Sequence, residues 1–144
     1  MVSHRYSGAL PAESRAVLDA IRRIVQGLRT SSRAAEQRLR VSGAQLFVLQ
    51  TLVRQAVWSL NELAERTATH QSSVSVVVDK LVTKKLVQRT RAASDGRKLE
   101  LSIAPRGRAL LAKAPEAAQD RLLHGLARLS PVDRKVLARA LTEL

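Results

Sequence analysis

The sequence contains no cysteine and very few aromatic residues. None of its 144 residues is cysteine, and only 2% are Phe, Trp or Tyr. The lack of cysteine excludes disulfide bonds, thiolate metal sites and a cysteine redox switch, and it fits a cytoplasmic protein best. The scarcity of aromatic residues leaves Leu, Val, Ile and Ala to build the core. It also argues against the base-stacking platforms of single-strand and RNA binders.

Signatures of catalysis, metal binding and membrane insertion are missing as well. There is no Gly-rich phosphate loop, no Ser/His/Asp set in a recognisable local context and no paired acids. The histidines His4, His70 and His124 do not have metal-ligand spacing. No segment approaches the roughly 20 apolar residues of a spanning helix, and no secretory h-region opens the chain. We therefore expect no enzyme, no metal or cofactor, and no membrane partner.

The charge is strongly one-sided. The chain has 25 Lys and Arg against 12 Asp and Glu, a formal net charge of +13. A charge of this size indicates a polyanionic partner, and nucleic acid is favoured over a membrane surface. A basic proteome would explain part of the charge but not its clustering. With 45% hydrophobic residues, the chain is expected to fold as one unit with a real core.

A long helical pattern dominates the first third of the chain. Residues 1–10 are expected to be a loose arm, and Pro11 then opens a pattern that continues to Arg40. Six apolar residues share one face of this helix: Val17, Leu18, Ile21, Ile24, Val25 and Leu28. Such a narrow stripe packs either against a partner chain or within its own monomer, and the residues leave both readings open.

The middle of the chain predicts a helix-turn-helix. Two capping boxes, at residues 42–45 and 59–62, each open a helix. A tight connection at residues 67–70, where Thr69 or His70 is expected to act as cap, leads to a helix over residues 71–84. That helix combines an apolar stripe with small polar residues at its start, which leaves room for DNA base edges. The serines could instead serve only as caps.

A β-hairpin is predicted directly after this helix. Residues 86–91 and 98–103 read as strands, with Leu99, Leu101 and Ile103 expected to point inward. An Asp-Gly turn with basic neighbours joins them, which is typical of a wing. Pro105 then starts a further helix, Pro115 should kink or interrupt it, and residues 130–133 cap a last helix.

The order of these pieces resembles the MarR family of bacterial transcriptional regulators. The resemblance is carried by five segments, at residues 60–65, 72–81, 86–89, 95–97 and 101–107. It implies a mainly α fold with a small antiparallel β-hairpin. It further implies a winged helix-turn-helix DNA-binding domain at residues 42–104 and a helical dimerisation domain at residues 11–40 and 105–144.

The resemblance also implies the function. A homodimer would bind a pseudo-palindromic double-stranded DNA operator, most commonly as a repressor, and a small phenolic or aromatic effector would release it. The effector pocket would lie between the two domains, lined by the first and second helices and the start of the fifth. Trp58, Phe47 and Arg23 are conceivable contacts there, although Trp58 and Phe47 fit a core role equally well.

We predict that DNA is contacted by residues of the second helix of the helix-turn-helix, over residues 71–84, and by residues of the wing. The family's Asp-x-Arg wing element maps onto Asp95 and Arg97. The resemblance implies that the Asp pairs with an Arg at the wing base and that Arg97 enters the minor groove; Asp95 could instead only form the turn. The full set comprises Gln71, Ser72, Ser73, Ser75, Lys80, Lys84, Arg89, Arg91, Asp95, Arg97 and Lys98. Arg54 and Arg66 are further candidates for phosphate contacts.

The sequence departs from the family pattern in three places. Val76 stands where an Arg or Lys is common, Lys85 replaces the Gly that usually ends the recognition helix, and the wing tip has one Arg instead of two. A non-Gly residue at Lys85 implies either left-handed strain or a different helix end. An alternative function remains open, namely a nucleoid-type or protein-interaction module without operator specificity.

Overall fold

A computed structural model describes residues 9–144, so the expected arm at residues 1–10 lies outside it apart from residues 9 and 10. The chain forms helices and a hairpin in the order α1 (Ala12–Leu39), α2 (Gly43–Leu52), α3 (Leu60–Arg66), α4 (Gln71–Thr83), β1 (Val87–Arg91), β2 (Leu99–Ile103), α5 (Pro105–Leu111), α6 (Ala118–Ala127) and α7 (Pro131–Thr142). The mainly α fold with one antiparallel hairpin is therefore confirmed.

Both predicted capping boxes are present. The hydroxyl of Ser42 accepts from the Gln45 N–H at 3.1 Å, and Gln45 Oε1 accepts from the Ser42 N–H at 3.2 Å. Ser59 and Glu62 repeat the pattern at 3.1 and 2.7 Å. Each cap satisfies backbone donors that α2 and α3 would otherwise leave without a partner, a stabilisation of about 1 kcal/mol.

The start of α4 differs from the sequence prediction. His70 occupies the N-cap position, but its side chain makes no capping hydrogen bond. The Thr69 hydroxyl donates backward to the Thr67 carbonyl at 2.9 Å, so it does not cap the helix either. The expectation of a Thr69 or His70 side-chain cap is wrong, and the first N–H groups of α4 face solvent without a side-chain acceptor.

The hairpin pairs β1 with β2 in a simple antiparallel register, from Val87 opposite Ile103 to Arg91 opposite Leu99. Trp58 adds an isolated bridge to β2, because its N–H and carbonyl bond Leu101 at 2.8 and 2.7 Å. Leu101 and Ile103 are buried as expected, but Leu99 is 49% exposed. The inward prediction for Leu99 is wrong because the hairpin extends past the core at that residue.

The core lies where α2, α3, α4 and the base of the hairpin meet. Its largest fully buried side chains are apolar and come mainly from the three helices: Leu46, Leu49, Leu52, Leu63, Leu81, Val41, Val74 and Val78. Burial of such side chains contributes roughly 1.5–3 kcal/mol each. This packing fixes one face of α4 and leaves the opposite face to solvent.

Pro115 interrupts the helix, so that α5 and α6 are separate. Of the two predicted outcomes, a kink or an interruption, the interruption is the one found. The Gln50 side chain holds this break, donating to the Pro115 carbonyl at 2.6 Å and accepting from the Ala117 N–H at 2.7 Å. Arg54 also bonds the buried Asp120 carboxylate at 2.6 Å. The end of α2 and the residues just after it are thus tied to α6 and to the segment before it by three polar contacts.

Two helices carry apolar faces that nothing in residues 9–144 covers. Ala35 is the only buried residue that α1 contributes, and α7 contributes none. Among the exposed apolar side chains on these elements are Val17, Leu18, Ile24, Val25, Val132, Val136, Leu137 and Leu141. No helix in the described range is long and apolar enough to span a membrane.

Three non-glycine residues adopt left-handed backbone conformations. They are Arg40 after α1, Ala68 in the turn between α3 and α4, and Lys85 after α4, with φ of 60°, 51° and 60°. Of the two alternatives that the sequence left open at Lys85, the left-handed conformation is the one found. Each such residue costs roughly 1 kcal/mol relative to glycine, so these three bends are held by the packing around them.

Candidate nucleic-acid interface

The outer face of α4 is the part of the chain best placed to enter a DNA groove. Ser72, Val76, Asp79 and Thr83 follow one another at helical spacing on this face and are all exposed. The opposite face packs into the core through Val74, Val78 and Leu81. The helix is therefore anchored along one side and open along the other.

The predicted polar start of α4 is mostly accessible. Gln71, Ser72 and Ser73 are exposed in the first turn, whereas Ser75 is half-buried at the edge of the core. Val76, 54% exposed, lies nearer the middle of the open face than Ser75 does. Its isopropyl group offers an apolar contact, of the kind a thymine methyl accepts, where family members commonly carry a cation.

An ion pair joins α4 to the hairpin. Asp79 on the open face of α4 bonds the Arg89 guanidinium on β1. The sequence predicted Arg89 only as a DNA contact, and its ion pair with Asp79 was not predicted. The pair could have been expected from the position of Asp79. An acidic residue on a face that meets phosphates needs a nearby cation to neutralise it. The pair both cancels that charge and fixes the hairpin beside the helix.

The wing tip is shaped by hydrogen bonds to its backbone. Asp95 Oδ1 accepts from the Arg97 N–H at 3.0 Å, and Arg91 donates to the Gly96 carbonyl at 3.2 Å. Across the range 9–144, Asp95 forms no ion pair, so Arg91, at the tip end of β1, holds the tip through a carbonyl and not through the carboxylate. Asp95 acts as the turn former, the alternative that the sequence left open.

Arg66 is exposed at the end of α3, and its side chain bonds no other residue within residues 9–144. The other predicted cations fall into two groups. Lys80, Arg97 and Lys98 are exposed, and their side chains bond no other residue within the described chain. Lys84 and Arg54 are engaged, the first with Arg40 and Gln45 and the second with Asp120. The exposed group lies on α4 and on the wing, the two elements that the pair between Asp79 and Arg89 joins.

Comparisons with known proteins agree with this geometry. A family model described as the MarR family matches residues 41–98, from the start of α2 to the wing. Over 67 residues the chain is 37% identical to the HTH-type transcriptional repressor MdtR of Bacillus subtilis (strain 168). Residues 41–98 of this chain are therefore similar to the MarR family. The alignment with MdtR covers 46% of this chain but only 43% of that relative, so it speaks for the DNA-binding region and not for the whole protein.

Solved structures extend the MarR likeness to nearly the full chain. BpsR of Bordetella bronchiseptica, whose DNA binding is regulated by 6-hydroxynicotinic acid, is 26% identical with a TM-score of 0.64, covering 94% of this chain and 96% of BpsR. A MarR mutant from E. coli complexed with operator DNA shares the fold at 20% identity, with a TM-score of 0.65 and coverage of 94% and 98%. MarR-family transcription regulators are non-enzymatic DNA-binding proteins, which agrees with the lack of catalytic signatures here.

The residues considered for an effector pocket of a MarR protein lie apart. Phe47 and Trp58 are core residues, 6% and 5% exposed, and the Trp58 indole N–H donates to the Leu52 carbonyl at 3.1 Å. Arg23 is exposed on α1. Phe47 also borders a mostly apolar cavity of about 410 Å³ between α2, the turn before α4, α4 itself and α6. Trp58 and Arg23 are not part of its lining.

One side-chain cluster has the composition of a cation site. Glu116, Asp120 and His124 place their ligand atoms within 4.8 Å of one another. The Arg54 guanidinium already bonds Asp120 at 2.6 Å, and Glu116 bonds His124 Nδ1 at 3.0 Å. A permanent positive charge beside the cluster opposes cation binding, and the contacts serve to join α6 to the chain that precedes it.

Proposed function

We propose that this chain is a MarR-family protein, a homodimeric, sequence-specific regulator that binds double-stranded DNA. The observation that carries the proposal is the open face of α4, anchored from behind by the core, together with the exposed cations Lys80 on α4 and Arg97 and Lys98 on the wing. In this reading α4 enters the major groove and Arg97 reaches an adjacent minor groove, where a narrow groove concentrates negative potential.

The uncapped start of α4 supports the same assignment. Because no side chain caps this end of the helix, its N–H groups are free to donate to a phosphate, and the helix dipole favours an anion there. Gln71, Ser72 and Ser73 add short polar side chains at this end. Arg89 would act mainly by neutralising Asp79, and Arg91 and Asp95 by shaping the wing.

The second part of the proposal is the dimer. The uncovered apolar side chains of α1 and α7 form faces that a second copy of the chain would bury. We therefore assign residues 11–40 and 105–144 to dimerisation and residues 42–104 to DNA binding. Two α4 helices related by a two-fold axis would then read a pseudo-palindromic operator.

The third part is regulation by a small molecule. The 410 Å³ cavity bordered by Phe47, Val77 and Leu123 touches both α4 and α6, so an occupant would contact the DNA-binding and helical regions together. A single-ring aromatic ligand matches its size and apolar lining. BpsR supports this class of effector through its regulation by 6-hydroxynicotinic acid. Repression is proposed because MdtR is a transcriptional repressor.

The experiment selects a binding site from a pool of random duplexes and measures affinity by fluorescence anisotropy. We expect the selected duplex to bind at least about 10³-fold more tightly than a scrambled duplex at the same salt, since specific sites usually do. Adding 6-hydroxynicotinic acid and other single-ring aromatic acids then tests release. Equal affinity for the two duplexes would favour the non-specific, nucleoid-type alternative.

Arg97→Ala tests the wing assignment within this assay. The variant should weaken binding about fivefold to tenfold, and the slope of log affinity against log salt should fall by about 1, because one phosphate-neutralising charge is lost. Arg128→Ala, which removes an exposed charge after α6, is the matched control. An Arg97→Ala slope equal to that of the control would remove Arg97 from the interface.

A further inference from the structure

Lys84 connects three helices through its ammonium group. It follows the last residue of α4, and its Nζ donates to the Arg40 carbonyl at 2.7 Å and to Gln45 Oε1 at 2.8 Å. Arg40 ends α1, and Gln45 lies in the first turn of α2. Both distances are those of charge-assisted hydrogen bonds.

The two acceptors are held in place independently of Lys84. Gln45 is only 6% exposed, and the same Oε1 completes the capping box with the Ser42 N–H. Arg40 has the left-handed conformation that ends α1, with its own N–H bonded to the Glu36 carbonyl. Carbonyls at a helix end lack intrahelical partners and carry partial negative charge, so an ammonium is well matched to this position.

The neighbouring lysine provides a contrast. Lys85 is exposed, and its side chain bonds nothing else within residues 9–144. Lys84 and Lys85 therefore carry the same charge at nearly the same place, but only Lys84 is tied to α1 and α2. A positive charge at the end of α4 is therefore present without the hydrogen bonds that Lys84 makes to Arg40 and Gln45.

We propose that Lys84 is a positioning residue that fixes the angle of α4 relative to α1. The inference rests on the proposed function, in which α1 belongs to the dimer interface and α4 reads DNA. The distance between the two α4 helices of a dimer must match the spacing of the two half-sites. A contact that fixes α4 relative to α1 therefore determines how well the two distances agree. Lys84 then governs sequence discrimination, whereas a phosphate contact would govern affinity for any duplex.

The test compares Lys84→Met with Lys85→Met on the selected and scrambled duplexes, by anisotropy across a salt series. Lys84→Met should lower affinity for the selected duplex about fivefold to tenfold, the scale of one lost hydrogen bond to a charged group. Affinity for the scrambled duplex and the salt slope should match those of Lys85→Met. Lys84→Arg, which retains a charged donor, should restore most of the discrimination.

Two results would overturn the proposal. One is an equal loss on both duplexes, with a salt slope that falls by about 1 for Lys84→Met, which would make Lys84 a phosphate contact. The other is an unchanged affinity for both duplexes. Failure of the proposed function is seen separately, as a ratio near one for the unmodified chain.

Gln45→Glu provides a second, gain-type test should Lys84→Met fail to fold. Glu keeps the capping box and turns the bond to Lys84 into an ion pair, so the variant should raise the melting temperature and keep or increase discrimination. A lower melting temperature or weaker discrimination would contradict the positioning role of Lys84.

Discussion

Gly107 is the position where a single added methyl group should disturb the fold most clearly. It lies in α5, and a Cβ built there would come within 2.3 Å of the Leu86 carbonyl oxygen and 2.8 Å of Ile103 Cγ1. The Leu86 oxygen is backbone, and it already accepts from the Ala104 N–H at 2.9 Å. Gly107→Ala therefore pushes α5 away from the base of the hairpin.

The magnitude follows from the contact. Ordinary van der Waals contact begins near 3.4 Å, so the Leu86 oxygen and the new methyl group must separate by about 1 Å, and overpacking of this kind costs about 1–3 kcal/mol. Better helix propensity returns at most about 1 kcal/mol. We expect a net loss of about 1–2 kcal/mol and a fall in melting temperature of roughly 3–6 °C.

Thermal unfolding followed by circular dichroism measures the effect, and anisotropy on the selected duplex measures its consequence for the wing. Gly125→Ala in α6 is the matched control, because its Cβ would meet nothing within 4 Å. That control should raise stability by about 0.5–1 kcal/mol through helix propensity alone. Equal melting temperatures for Gly107→Ala and the unmodified chain would refute the close approach of α5 to the hairpin.

Two further predictions concern the turn before α4 and the dimer. Ala68→Gly should raise stability by roughly 0.5–1 kcal/mol because it relieves a left-handed residue, whereas Ala112→Gly, at a right-handed position, should lower it, as urea unfolding would report. Leu137→Asp should convert the proposed dimer to monomer in sedimentation velocity, because it buries a charge in the apolar face of α7. Lys135→Asp, on the opposite side of α7, should leave the dimer intact. A Leu137→Asp dimer of unchanged affinity would argue against α7 as part of the interface.

Features encoded by neighbouring residues were predictable from the sequence. The capping boxes at Ser42 and Ser59 each need only a residue three positions on, and Pro115 interrupts a helix through its own ring. Alternating apolar residues gave both strands to within a residue. These predictions succeeded because the physical cause lies within one turn or one strand.

Features that depend on contacts between distant elements were not predictable in this way. Leu99 follows the apolar alternation, yet its exposure depends on how far the hairpin extends past the core. The pair between Asp79 and Arg89 and the contact between Lys84 and Gln45 join different elements, which no local pattern specifies. Left-handed Arg40 and Ala68 had no glycine to mark them.

The central claim is that two copies of α4, held by one dimer, bind successive turns of the same face of DNA. Inserting five base pairs between the half-sites of the selected duplex tests it most directly, because this rotates one half-site by about half a turn of a helix with roughly 10 base pairs per turn. Binding should then fall to the level of scrambled DNA. Undiminished affinity for the lengthened site would contradict it.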